Sequence, residues 1–108
     1  MSNTNQNPLR LMPTPETVTV ELLYRTFGDV LIPLEKLRLQ YFRNLNEQTF
    51  ASDLDNGRIP LPVTTLKDSR KSFKYVHIRH LASWIDIRAY SADEEQAKKQ
   101  KDSAQQDQ

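Results

Sequence analysis

The sequence is short of several residue types, and each shortage excludes a class of function. It contains no cysteine, which excludes disulfide frameworks, thiolate catalysis and cysteine-ligated zinc. Only two of its 108 residues are glycine, too few to suggest a phosphate-cradling glycine loop. No apolar run approaches the roughly 20 residues that a membrane span needs. The polar residues 1–15 also lack the apolar core of a secretory signal, so we expect a small cytoplasmic protein.

The length allows one domain, and composition separates it from two polar ends. Residues 17–90 carry most of the large apolar side chains. Residues 1–16 and 91–108 are rich in polar and charged residues and cannot bury enough surface to offset the entropy of ordering. We therefore expect both ends to be disordered tails, with a helix extending into residues 92–101 as the alternative for the second.

The net charge of +1 conceals an uneven distribution. Residues 58–80 hold six Lys and Arg against Asp68 alone, a net +5 before either histidine is counted. Such a cluster indicates a surface that binds a polyanion, and a solvated basic loop is the alternative.

The first half of the domain is predicted to be mainly helical. Residues 17–27 alternate like a strand at first but also show helical spacing, which favours a helix. A short β-favouring run at residues 30–32 precedes Pro33, a residue suited to the first turn of a helix over residues 34–42. Asn46 is then the predicted N-cap of a helix over residues 47–56, which the next glycine ends.

The second half predicts a hairpin followed by a helix. After a proline-rich extended segment, residues 64–66 and 75–78 read as two strands, and the polar, basic residues 67–74 read as the tip between them. A final helix over residues 79–90 places Leu81, Trp84 and Ile85 toward the core. Two short helices joined by a polar turn and followed by a hairpin predict an α+β fold, a small winged helix-turn-helix of the MerR/excisionase-like type with a β-hairpin wing.

Four sequence runs carry a resemblance to a known family. They are IPLEKLRLQYF (32–42), NGRIPLPV (56–63), DSRKS (68–72) and VHIRHLASWID (76–86). Their order and spacing over about residues 20–88 resemble the pyocin activator protein family, which are small prophage-associated transcriptional activators. The arrangement is also similar to phage excisionases and AlpA-like regulators, which share the winged-helix domain. The resemblance implies DNA-binding gene control in a phage or bacterial cytoplasm, close to the nucleoid, while the longer polar tails depart from the family's pattern.

The second helix of such a unit normally enters the major groove, and geometry gives its candidate contacts. If the apolar side chains of helix 47–56 face inward, Gln48, Thr49 and Ser52 remain available for base contacts. The acids on this helix, Glu47, Asp53 and Asp55, repel phosphate. We therefore expect contact through its N-terminal half.

The basic hairpin tip is the stronger candidate for DNA contact. Arg70 suits insertion into a narrow A·T-rich minor groove. Other cations flank the tip or end the two helices, and two serines can donate to phosphate. These candidate backbone contacts are Arg43, Arg58, Lys67, Ser69, Lys71, Ser72 and Lys74. Arg38 and Lys36 are expected to be solvated helix charges.

The sequence does not predict an enzyme. His77 and His80 are the only histidines, and a metal site would need Asp86 or Asp68 as a third ligand. No arrangement of Ser, His and Asp and no phosphate-binding loop is apparent. We therefore expect no catalytic residues, no metal and no cofactor.

The expected partner is double-stranded DNA, with no membrane partner. A domain of this size has a small footprint, so a homodimer or a cooperative oligomer is expected on DNA, with residues 17–27 as the candidate interface. Two alternatives remain open. One is an excisionase or directionality factor with the same fold, and the other is a protein-interaction factor that binds host RNA polymerase or a repressor.

Overall fold

A computed structural model describes residues 12–106, with side chains as far as residue 102. Within this range the chain forms four helices and one two-stranded antiparallel sheet, a small α+β fold as the sequence predicts. In chain order the elements are α1 (Thr17–Phe27), β1 (Leu31–Pro33), α2 (Leu34–Tyr41), α3 (Glu47–Asp55), β2 (Tyr75–His77) and α4 (Ile78–Gln106). None of the helices in residues 12–106 is long and apolar enough to cross a membrane.

The sheet differs from the predicted hairpin. The strand β2 pairs with β1, and Ile32 lies opposite Val76 at the centre of the register. Both of these side chains are 0% exposed, so the pair anchors the sheet in the core. Residues 64–66 do not form the predicted partner strand, because only Thr64 pairs with Tyr75. The preference of β2 for β1 is a long-range contact that buries two β-branched side chains, and local turn chemistry does not encode it.

Local signals fix the ends of the first three helices. The helix α1, which the ambiguous pattern favoured, is confirmed and ends at Gly28, whose φ of 78° is readily accessible to glycine. Pro33 does not occupy the first turn of α2, since it ends β1 and serves as the N-cap residue. Asn46 is confirmed as the N-cap of α3, because its side chain accepts a hydrogen bond from the Thr49 amide at 2.8 Å. Gly57 follows α3 with a φ of 82°, as its predicted role requires.

One apolar core joins all of these elements. Trp84 and Ile85 are partly buried and pack against it, while Leu81 is fully enclosed at 1% exposure. The helix α3 contributes its two predicted inward-facing side chains, and the segment after it contributes two more. The buried members are Leu23, Phe27, Ile32, Leu37, Phe50, Leu54, Ile59, Leu61, Val76, Ile78, Leu81 and Ala82.

The second polar end is helical rather than an irregular tail. The helix α4 continues without a break to Gln106, which corresponds to the alternative in which residues 92–101 extend the last helix. Ala, Glu, Gln and Lys favour helix, and extending an existing helix avoids the cost of nucleation.

The first polar end is partly fixed. Residues 12–16 lie against α4, where the Ser83 hydroxyl donates to the Pro13 carbonyl at 2.7 Å and the Glu16 amide donates to Asp86 at 2.8 Å. These two bonds connect residues 13 and 16 to α4. The rest of the predicted tail, residues 1–11, lies outside the described range.

Candidate nucleic-acid interface

The basic loop (residues 65–74) starts directly from the sheet. At its base the Thr64 amide donates to the Tyr75 carbonyl at 2.7 Å, and the Tyr75 amide donates to the Thr64 carbonyl at 2.9 Å. Tyr75 also lies opposite Pro33 in the sheet. Both ends of the loop are therefore anchored to a strand that the core holds in place.

Hydrogen bonds within the loop define the shape of its tip. The Ser72 hydroxyl donates to the Lys67 carbonyl at 2.6 Å, and the Ser72 amide donates to the Ser69 carbonyl at 3.1 Å. The Lys71 amide donates to the Ser69 hydroxyl at 3.2 Å. The Ser72 hydroxyl hydrogen therefore closes the loop in this structure, and a contact of Ser72 with phosphate stays a prediction. The Ser69 hydroxyl keeps its hydrogen for an external acceptor.

The cations of the basic loop face solvent. Lys67, Arg70, Lys71 and Lys74 are all exposed, with Asp68 as the only acid among them. Among the side chains that the structure describes, the ion pair found is Arg38–Glu35, away from this loop. The loop thus presents a net charge of +3 (four cations less one acid) with no intramolecular ion pair to neutralise it.

The three base-contact candidates of α3 are all exposed. Gln48 and Ser52 lie one turn apart on the face opposite Phe50 and Leu54, and Thr49 lies beside them. Asp55 continues the Gln48–Ser52 stripe at the C-terminal end of the helix. Only the N-terminal half of this face is therefore free of acids.

The two candidate phosphate contacts at the helix ends are also exposed. Arg43 follows α2, and its Nε donates to the Leu39 carbonyl at 3.3 Å. Arg58 follows α3, where its own amide donates to the Asn56 side chain at 3.0 Å. Neither guanidinium lies in the core.

Two cations expected to be solvated have structural contacts. The Arg38 guanidinium donates to the Leu45 carbonyl at 2.8 Å and forms a two-pronged pair with Glu35 at 2.7 and 2.9 Å. The hydrogen bond with Glu35 raises the pKa of Arg38 and lowers that of the carboxyl. Lys36 donates to the Phe27 carbonyl at 3.3 Å, near the end of α1. Both side chains reach backbone carbonyls outside their own helix, at the end of α1 and in the turn after α2. The expectation that they are solvated considered only the faces of α2.

The two histidines contact each other edge to face, with ring centroids 5.9 Å apart. Burial lowers the pKa of His80, and the nearby charges of Arg79 and His77 lower it further. Asp86, the possible third metal ligand, already accepts hydrogen bonds from Glu16 and Thr19. Residues 12–106 contain no group of three or more His, Cys, Asp or Glu side chains suited to a metal ion.

Sequence reasoning missed two large apolar side chains in the basic loop. Leu66 is 75% exposed and Phe73 is 81% exposed. They line one shallow depression together with Lys67, Lys71, Ser72 and Tyr75. The sequence did contain a signal for them, because two large apolar residues stand within an otherwise polar loop that is too short to form a core.

The sequence model described as "Pyocin activator protein PrtN" matches residues 19–92, more than half of the chain. The comparisons with curated proteins and with solved structures found no match to this chain. The matched range includes most of α1, all of β1, α2, α3, the basic loop and β2, and the first half of α4. The chain therefore belongs to the pyocin activator protein family, whose members are transcriptional activators of pyocin genes and not enzymes.

Proposed function

We propose that this chain activates bacteriocin genes of a prophage by binding double-stranded DNA through a winged helix-turn-helix over residues 17–90. In this proposal α3 is the recognition helix in the major groove, and the basic loop is the wing. The protein works in the bacterial cytoplasm, close to the nucleoid, without a cofactor.

The observation that carries the proposal is the position of the positive charge. A loop with four exposed cations is bonded at both ends to a strand of the core sheet, so its charges project from a fixed base. DNA affinity comes largely from cations that neutralise phosphates. Lys67, Lys71 and Lys74 are the proposed phosphate contacts, with Ser69 as a neutral donor and Arg70 in the minor groove.

The segment between α3 and the basic loop supports a joint role for the two. Ile59 and Leu61 are buried, and the Ile59 amide donates to the Asp53 carbonyl at 3.0 Å. The chain therefore passes from α3 to the loop along the core instead of through a free linker. A path along the core limits how far α3 and the loop can move relative to each other, which supports joint contact with a single duplex.

The proposed base contacts lie in the N-terminal half of α3. Gln48 can bond adenine with its amide, and Thr49 or Ser52 can reach a base or a phosphate. Arg43 and Arg58 would hold the phosphates on either side of this helix. Specificity beyond these contacts would come from DNA shape, because Asp55 keeps the far end of the face away from phosphate.

The test compares two variants that each lose three positive charges. A binding duplex is first selected from random-sequence DNA with the full chain, and affinity is then measured by fluorescence anisotropy across a salt series. With five or six phosphate contacts, we expect log affinity against log salt to have a slope of about −4 to −5. Replacing Arg70, Lys71 and Lys74 by Ala should reduce the magnitude of this slope by about 2 to 3.

The matched control replaces Lys98, Lys99 and Lys101 of α4 by Ala. It should keep the slope of the unaltered protein. Equal slopes for the two triple variants would defeat the assignment of the wing. Failure to select any duplex would defeat DNA binding and favour the protein-interaction alternative, whereas selected sites that recur beside an attachment site would favour an excisionase.

A further inference from the structure

The basic loop contains an apolar pair whose exposure the fold does not explain. Phe73 and Leu66 are the two most exposed large hydrophobic side chains described, at 81% and 75%. Neither belongs to the core or to the apolar residues packed against it. Single exposed apolar residues are ordinary on a protein surface, but here two occur within one ten-residue loop and line the same depression.

The loop holds this pair outward from a defined base. Leu66 and Phe73 lie two residues beyond Thr64 and Tyr75 on their respective sides, and these two residues bond each other through both amides. On the far side the Ser72 hydroxyl donates to the Lys67 carbonyl at 2.6 Å. The apolar pair therefore lies between two hydrogen-bonded crossings of the loop, which limits how far it can fold back onto the domain.

The charges around the pair indicate its occupant. Lys67 follows Leu66 directly, Lys74 follows Phe73 directly, and Arg70 and Lys71 lie at the tip between them. An apolar contact ringed by cations matches the chemistry of duplex DNA, in which flat apolar base faces are stacked between two rows of phosphates. A partner protein with an apolar groove and an uncharged rim would contact Leu66 and Phe73 but leave these cations without a partner.

We propose that Phe73, supported by Leu66, is a wedge that enters between two stacked base pairs and kinks the duplex held by the basic loop. The proposal rests on the DNA-binding function above and gives that binding a mechanical consequence. Aromatic and aliphatic side chains inserted between base steps unstack them and bend DNA by about 20–90°. The step should be a flexible pyrimidine–purine step, because such steps unstack most easily.

The experiment measures bending separately from binding. The selected duplex carries a dye at each end, so that energy transfer reports the bend, and 2-aminopurine at successive positions, so that its fluorescence rises where a base is unstacked. The unaltered protein should shorten the end-to-end distance of the duplex and raise the 2-aminopurine signal at one step. Phe73→Ala should abolish both effects and weaken binding about tenfold.

Three further measurements separate a wedge from a general loss of function. Phe73→Trp should keep the kink, because it retains an aromatic face. Tyr90→Ala removes an exposed aromatic side chain from α4 and should change neither signal. The salt dependence of Phe73→Ala should equal that of the unaltered protein, because its cations remain.

The failure of this inference differs from the failure of the proposed function. If the protein binds the duplex without a kink or an unstacked base, or if Phe73→Ala bends it equally, the wedge is wrong while DNA binding stands. If no duplex can be selected, both are wrong.

Discussion

Arg38 shows how a single side chain can hold the turn between two helices that contains no glycine. Its guanidinium reaches from α2 to the Leu45 carbonyl at 2.8 Å, and Glu35 fixes the other side of the planar group. The Leu45 amide in turn donates to the Phe42 carbonyl at 2.9 Å. The direction in which α3 leaves α2 therefore depends on this side chain.

We expect Arg38→Ala to lower the midpoint of urea unfolding, because the Leu45 carbonyl loses its guanidinium donor. Arg38→Lys should restore little of the loss, since an ammonium lacks the planar fork that serves both partners. Arg25→Ala, at the exposed end of α1, is the control and should leave the midpoint unchanged. A midpoint unaffected by Arg38→Ala would show that the turn does not need this contact.

His80 makes the stability of the fold depend on pH. Burial, followed by electrostatic interaction with Arg79 and with His77, lowers its pKa below the ordinary value of 6.5. Below about pH 6.5 the unfolded chain therefore binds more protons at this position than the folded chain. The contribution of His80 to stability is complete above that pH and decreases as the pH falls toward the folded-state pKa.

We accordingly expect the Tm of the unaltered protein to fall between pH 7.5 and pH 5.5 by more than that of His80→Gln. His77→Gln provides the comparison at the neighbouring ring. If the unaltered protein and His80→Gln lose the same number of degrees over this range, another group causes the acid sensitivity.

Between elements, Asp86 joins α4 to the start of α1. Its carboxylate accepts from the Glu16 amide at 2.8 Å and from the Thr19 hydroxyl at 2.7 Å. The first bond serves an amide at the N-terminal end of α1, where no side chain of the helix itself supplies a cap. Asp86 thus takes the role of a local capping residue, although it lies 70 positions away along the chain.

We expect Asp86→Ala to destabilise the domain by about 1–3 kcal/mol in urea unfolding, because two donors lose a charged acceptor. Asp86→Asn should lose less, because its amide oxygen can still accept one of the two hydrogen bonds. Asp93→Ala, exposed further along α4, is the control. If all three variants lose an equally small free energy of unfolding, water replaces the carboxylate as acceptor for the Glu16 amide and the Thr19 hydroxyl.

Elements with local signals were predictable, and those that depend on distant partners were not. Asn46 and Gly57 mark the two ends of α3 within a dozen residues, and the structure confirms both. The pairing of β2 with β1 and the cap from Asp86 join residues far apart, so no local pattern encodes them. In the candidate interface the charges of the basic loop were predictable from composition. The role of Ser72 within the loop depends on turn geometry and was not.

At the scale of the molecule, the exposed side of α1 is the proposed surface for self-association. Val18 and Leu22 are each 54% exposed one turn apart, and Tyr24 is 51% exposed. A small DNA-binding domain gains affinity when two copies occupy neighbouring half-sites.

We expect sedimentation velocity with the selected duplex to show two copies of the chain per DNA, and Leu22→Glu to show one. Leu39→Glu replaces a leucine of similar exposure on α2 and should keep two copies. If two copies of the Leu22→Glu variant still bind each duplex, the interface lies elsewhere.

The pairing of β1 with β2 also decides when the domain can form during synthesis. Ile32 and Val76, both fully enclosed, belong to strands separated by α2, α3 and the basic loop. Closing so long a segment costs entropy before the strand contact repays it. A nascent chain whose last strand is still inside the ribosome therefore lacks Val76 and has an incomplete core, so the domain can close only after translation has passed β2.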